Sequence, residues 1–413
     1  MPISSGTERD RAGGARPSFG ALIPSAAALV VLGAALFAQD APAPIALAPP
    51  DTARARAEAG AAKLYDTTVL HRIEIVISDD AVNSIVNRTT DRVRCVVTID
   101  GLTLKDVGVR QAGGVYHPYV TISNKPSLSL KFDEFAKAQR LFGLDKLVLK
   151  NELQDNTLVN EHLAYEVFRR AGLAAPLTAH ARVTINGIDD GIYLMREPID
   201  KEFLRRNFGG PFDGGNLFEI ENTREFVFEP GYPKLDDEGK SGRTRTDLLE
   251  LAAAIIAATP ESFEREVGRH VDVARLITYV SAEIATGHWD GLAFRNNNTY
   301  IYHLPGDGKF VFIPYGADQA LRASPFGSFG PPRSYLVQQL VRVPSLARRL
   351  NEETARIASE PVWNQKVLLE RVDQVARIFA AAEGAGGRTA ADIMRFTSNR
   401  AWIENLIRGG GAR

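Results

Sequence analysis

The apolar pattern of this chain changes period near residue 235, and no single feature limits the fold more. Before that point apolar residues alternate as in strands; after it they recur every three or four residues, as in helices. His71–Ile77 alternates, and Arg92–Ile99 and Leu102–Val109 flank the turn Asp100-Gly101. Leu128, Leu130 and Phe132 share one strand face, with Lys131 on the other. Ala181–Ile185 and Gly191–Met195 flank Asn186-Gly187, a strong hairpin signal. One amphipathic helix interrupts them, Leu158–Ala171, stopped by Gly172 and Pro176. Later come Asp247–Ala258, Asp272–Thr286 and a helical tail from about 334. The pattern predicts an α+β protein, a strand-rich lobe (64–198) followed by a helix-rich lobe (199–408).

With 413 residues, 45% of them hydrophobic, the chain can bury a large core. Its 49 Lys+Arg nearly cancel 50 Asp+Glu, so it carries no broad basic field for nucleic acid, and any charged partner must be met at a local site. The single cysteine, Cys95, excludes an internal disulfide and a cysteine-based zinc site. It lies in a strand-like run and reads as a small core residue. His180 and His303 lack metal-ligand spacing. No G-x-S-x-G, H-E-x-x-H or G-x-x-x-x-G-K-[ST] occurs, which argues against a serine hydrolase, a zincin and a P-loop enzyme.

Residues 17–39 hold no charged side chain and follow Arg9, Arg11 and Arg16. Residues 1–40 therefore read as an export signal or an N-terminal membrane anchor, the alternative being a disordered apolar tail. Residues 41–63, rich in Ala and Pro, read as a linker. The expected location is exported: cell envelope, periplasm or extracellular space.

Chemistry concentrates in His288-Trp289-Asp290, Asn296-Asn297-Asn298 and Asp318. Tyr300–Tyr302 and Phe310–Phe312 read as a hairpin, which brings Asp290 and Asp318 to one open end. Oxygen-rich clusters favour a hard cation such as Mg²⁺ or Mn²⁺. Phosphoryl transfer needs one carboxylate to orient and deprotonate a hydroxyl, and an amide with a second carboxylate to hold the metal. By spacing alone, a polar turn capped by Asp290 fits equally well. Glu161 sits beside the apolar stripe of its helix, either paired with a lysine from a neighbouring strand or exposed near the helix N-terminus.

Five motifs in order resemble the CotH kinase family, atypical protein-kinase-like proteins, over roughly 70–405. They are Lys125–Phe132, Asn160–Gly172, Asn186–Leu204, Trp289–Tyr302 and Ile313–Gln319. The resemblance implies a two-lobe kinase-like fold that binds ATP with Mg²⁺ or Mn²⁺ and phosphorylates a protein Ser or Thr. It implies Asp290 as catalytic base, supported by His288, with Asn296 or Asn297 and Asp318 as metal ligands. Lys131 is the first candidate to hold the ATP phosphates, paired with Glu161; Lys150 is the alternative. Met195–Pro198, with Glu197, would link the lobes where the adenine stacks, and Arg110 begins a phosphate-side loop running to Val115. The family's P-W-D-x-D reads here Pro314-Tyr315-Gly316-Ala317-Asp318, one aspartate short. The alternative function is therefore a weak or inactive ATP-binding or structural surface protein, and more distantly a metal-dependent enzyme acting on surface glycans.

Overall fold

Asp-Gly and Asn-Gly turns set the first half of the architecture. Asp100 and Gly101 take φ of 48° and 85°, and Asn186 and Gly187 take 51° and 77°. These left-handed pairs match the right-handed twist of the strands they join. Both hairpins form where the sequence predicted them. The computed structural model describes residues 52–86, 91–112, 125–209, 214–221, 223–237, 245–306, 308–322, 330–382 and 384–410. All of these belong to one unit, residues 44–413.

Strands β1 (Leu70–Ile77), β2 (Val93–Ile99), β3 (Leu102–Gln111), β4 (Leu128–Lys131), β5 (Lys146–Lys150), β6 (Thr178–Ile185) and β7 (Ile188–Arg196) close into a barrel of order β1-β2-β3-β4-β5-β7-β6. Neighbours run antiparallel except β1 and β6, whose parallel pairing of Ile73 with Val183 closes the ring. Alternate side chains, among them Ile73, Ile75, Val97, Leu130, Leu149 and Val183, fill its interior. Cys95 is one of them, and burial pushes its thiol up to about 12. It is a packing residue, as its strand position implied.

The helices are α1 (Thr52–Leu64), α2 (Asp79–Val86), α3 (Asn160–Arg170), α4 (Lys201–Phe208), α5 (Thr246–Ala257), α6 (Phe263–Glu266), α7 (Val273–Thr286), α8 (Leu292–Arg295), α9 (Tyr335–Val341), α10 (Pro344–Ile357), α11 (Gln365–Ala380) and α12 (Gly387–Arg408). With β8 (Leu217–Ile220), β9 (Lys234–Asp237), β10 (Thr299–His303) and β11 (Phe310–Pro314), in sheet order β11-β10-β8-β9, they enclose a second core. Helix α3 belongs to this core, with the Phe168 ring 5.9 Å from that of Tyr279.

The α+β class expected from the periodicity holds. One boundary moves: the end of the expected linker is helix α1, which buries Ala57, Ala61 and Leu64 and packs on α4. Alanine favours helix as strongly as its small size suggests a linker, and the partner surface decides between them. The apolar run 17–39 lies outside the described residues. Among those described, no helix is long and apolar enough to cross a membrane.

Candidate active site

Strand β5 ends in Lys150, whose Nζ lies 3.9 Å from Asp318 Oδ2. Glu161, in the first turn of α3, is fully buried. It accepts from Arg196 Nη1 at 3.1 Å and from the Tyr165 hydroxyl at 2.6 Å. Burial alone would raise its pKa, but the charges of Arg196 and then Lys150 outweigh that and hold the carboxyl below its ordinary range. Burial also disfavours the Lys150 ammonium, and Asp318 and Glu161 overcome it, leaving the amine above its usual pKa.

The expected pair of Lys131 with Glu161 is not formed. Lys131 Nζ lies 3.4 Å from Glu134 and 3.9 Å from Asp133. The register explains this: Lys131 faces Lys146 across β4 and β5, while Lys150 lies beyond Leu149, which faces Leu128. The two lysines therefore stand at opposite ends of the strand pair, about 13 Å apart along it. Glu161 does have cationic partners, but they come from β7 and β5.

Helix α7 stops at Gly287 in the left-handed conformation, and the chain turns through His288 and Asp290 into α8. Glu283, buried in α7, binds the start of α8 with both carboxylate oxygens, accepting from Leu292 N at 2.8 Å and Ala293 N at 2.9 Å. A Cβ on Gly291 would stand 2.2 Å from Glu283 Oε1, so this turn closes only around glycine. His288 is fully buried, and burial lowers its pKa to about 4, which keeps the ring neutral. It packs edge-on to Phe168 and so supports the turn.

Burial raises Asp290 to about 6; the Asn297 amide opposes the shift, Asp318 adds to it, and Asn298 opposes it too. Asn298 Nδ2 donates to Asp290 Oδ2 at 3.0 Å and to its carbonyl at 3.1 Å. Asn296 turns away, donating to Glu225 at 3.0 Å. Gly316 takes φ 53°, and a Cβ there would meet Asn298 Oδ1 at 2.6 Å. The space a side chain at 316 would need is thus filled by the amide that holds Asp290.

Two acids that sequence reasoning missed lie within the electrostatic reach of Asp318. Asp155 is fully buried and accepts from Thr157 N, Thr157 Oγ1 and Asn160 N, each at 2.7 Å. Glu152 is 1% exposed, and among the described residues neither carboxylate oxygen has a hydrogen-bond partner. Burial raises its pKa well above normal, and Asp155, Glu161 and Asp318 add to the shift. Both follow β5 in irregular chain, where no periodicity marks which way a side chain points.

Other expected residues stand elsewhere. Glu197 is held by Arg206 at 2.5 and 2.8 Å and accepts from Leu177 N at 3.0 Å, so its carboxylate is engaged with α4. Arg110 faces Ser129 across β3 and β4 and is exposed. Residues 113–115 of the expected phosphate-side loop lie outside the described residues.

Carboxylates and amides gather around Lys150 and Asp318, and among the described residues the buried Glu152 carboxylate has no hydrogen-bond partner, a donor set that fits a hard divalent cation. Among the described residues, no three His, Cys, Asp or Glu side chains are placed to hold an ion by themselves. An ion here would draw on amide oxygens and on the ligand as well as on acids.

Comparison with known proteins agrees with the motifs. The chain is 25% identical over 254 residues to the inner spore coat protein H of Bacillus subtilis (strain 168), covering 58% of this chain and 65% of that protein. It is 26% identical over 184 residues to invasin CotH2 of Rhizopus delemar, covering 41% of this chain and 31% of that protein. The chain thus spans less than two thirds of either relative. The family model described as CotH kinase protein matches residues 112–380, more than half of the chain, which therefore belongs to that family.

Proposed function

We propose that the protein transfers the γ-phosphate of ATP to a Ser or Thr hydroxyl of a protein substrate, with Mg²⁺ or Mn²⁺ as cofactor. The observation that carries this reading is the position of Lys150, within 3.9 Å of Asp318 and in the field of Glu161, with Asp290 close enough to Asp318 to feel its charge. Phosphoryl transfer is catalysed mainly by positioning and charge stabilisation, and these groups supply both. Lys150 would hold the phosphate oxygens, kept in place by Glu161 and Asp318. Asp290, ionised above pH about 6, would orient the acceptor hydroxyl and take its proton. Asn298 fixes the Asp290 carboxylate, and Asp318 with the Asn298 carboxamide oxygen would hold the metal. When bound, the cation neutralises the charge that develops on the phosphates.

Gly316 favours a second reading. With no carboxylate at this position and no room for one, the protein would bind nucleotide without transferring phosphate, as a module of the cell surface. The relatives' names, a spore coat protein and an invasin, support an envelope or surface location, and residues 17–39 would provide export or anchoring.

Radiolabel transfer from γ-labelled ATP to a protein acceptor tests the first reading, with Asp290→Ala and Asp318→Ala alongside. Transfer by wild type and loss of at least 100-fold in each variant is the expected result. Absence of transfer together with absence of a nucleotide-induced rise in melting temperature would falsify it; nucleotide binding without transfer favours the second reading.

A further inference from the structure

Among the described residues, nothing hydrogen-bonds to the carboxylate of the buried Glu152. The residue is 1% exposed, and its backbone takes the left-handed conformation at φ 54°. A non-glycine residue rarely adopts that conformation without surroundings that impose it. Protonation does not resolve the problem, since a neutral carboxyl would still bury a hydroxyl with nothing to accept its proton.

The charge balance around Glu152 points the same way. Arg196 neutralises Glu161 at 3.1 Å, and Lys150 lies beside Asp318. Asp155 is satisfied by three hydrogen bonds. Glu152 is left over, in the field of Asp155, Glu161 and Asp318, with the attraction of Lys150 and of Lys125, itself paired with Asp392, opposing them. A buried site with more carboxylates than cations is stable when a cation joins it.

We infer that Glu152, with Asp318, is a ligand of a divalent cation, so that the barrel as well as the helical part supplies a carboxylate to the metal. The inference deepens the phosphoryl-transfer reading of this site and rests on it for the identity of the ion, Mg²⁺ or Mn²⁺. Glu152 lies in the segment just after β5, and Asp318 in the segment just after β11. Two carboxylates plus an amide oxygen leave open positions for water or phosphate oxygens, as Mg²⁺ prefers.

Titration of the full chain with Mn²⁺, followed by the electron paramagnetic resonance signal of the free ion, tests this without reference to activity. E152Q keeps the shape and removes the charge. Its Mn²⁺ dissociation constant should rise at least tenfold, and Asp318→Asn should do the same. In metal-free buffer E152Q should melt at or above the wild-type temperature, because an uncompensated buried acid has gone. Wild-type Mn²⁺ affinity in E152Q, absence of Mn²⁺ binding by wild type, or a metal-free melting temperature for E152Q several degrees below wild type would each overturn the inference. Label transfer from ATP is scored in parallel. Mn²⁺ binding that depends on Glu152, without transfer by wild type, would leave the metal site standing and remove the kinase reading.

Discussion

A lysine on a strand acts on a ligand only if register brings it to the right end. Lys150 and Lys131 both terminate short apolar runs, and both lie on strands of the same barrel. Only Lys150 meets Asp318 and the field of Glu161. Lys150→Met should therefore lower ATP-dependent transfer at least 100-fold, while Lys131→Met stays within about twofold, measured as kcat/KM for ATP. The reverse order would move the phosphate site to the other end of the strand pair. His288 gives a second test. Its folded pKa of about 4 lies below the usual 6.5, so the unfolded chain takes the proton first. Its contribution is complete above pH 6.5 and is lost as pH falls towards 4. The stability difference between wild type and His288→Gln, read by urea denaturation, should shrink by about 3 kcal/mol between pH 7 and pH 4. A gap that does not change with pH would mean the ring is charged or solvated in the fold. At this scale the sequence marked Asp290, Glu161 and Asp318 by type and spacing. It could not rank the two lysines, because alternation treats them alike; it could not reveal Glu152 or single out Asn298 from its two neighbouring asparagines, since their left-handed backbones follow no period.

Whole elements were easier to read than the residues between them. Helix α3 runs Asn160–Arg170 where the pattern placed Leu158–Ala171, and α7 begins after Asp272, which caps it by accepting from Arg275 N. Apolar spacing and capping are local, so the sequence carries them directly. Barrel closure is not local: β1 pairs in parallel with β6 across more than a hundred residues, and no short window contains both. The junction of α7 and α8 shows how elements hold the site. Glu283 ties the start of α8 to α7 with two backbone hydrogen bonds, and Asp290 lies in the turn between them. Gly291→Ala would set a methyl 2.2 Å from Glu283 Oε1 and 2.9 Å from His288 Cδ2. The turn must then open and carry Asp290 with it. The expected result is a fall of at least tenfold in kcat with KM for ATP within about threefold, since Lys150 and Glu161 stand on other elements. Equal losses in both parameters would mean that the turn also shapes the nucleotide site.

Across the whole molecule, the chain's end returns to its beginning. Helix α12 packs on β7. Lys125, just before β4, donates to Asp392 of α12 at 2.6 Å and to the Ile192 carbonyl at 2.8 Å, and Asp392 also accepts from Ile192 N at 2.8 Å. Beside this cluster Asp189 accepts from Thr389 N and its hydroxyl, and Arg388 pairs with Asp190. Gly191 makes the approach possible, because a Cβ there would lie 2.4 Å from Asp392 Oδ2. The barrel that carries Lys150 is thus strapped to the helical part that carries Asp290 and Asp318. Removing one member of a buried ion pair strands the other and costs about 3–5 kcal/mol, whereas replacing both by apolar groups is often close to neutral. Arg395, 3.1 Å from Asp392, partly compensates and places the expected loss for Lys125→Met at the lower end of that range. Lys125→Met combined with Asp392→Leu removes the stranded charge but leaves Ile192 N without its acceptor. The double variant should therefore recover about half of the single variant's loss in denaturant unfolding, and no more than the full loss less about 1 kcal/mol. A double variant as unstable as the sum of its two single variants would mean that Lys125 and Asp392 do not act as a pair in holding α12 to the barrel.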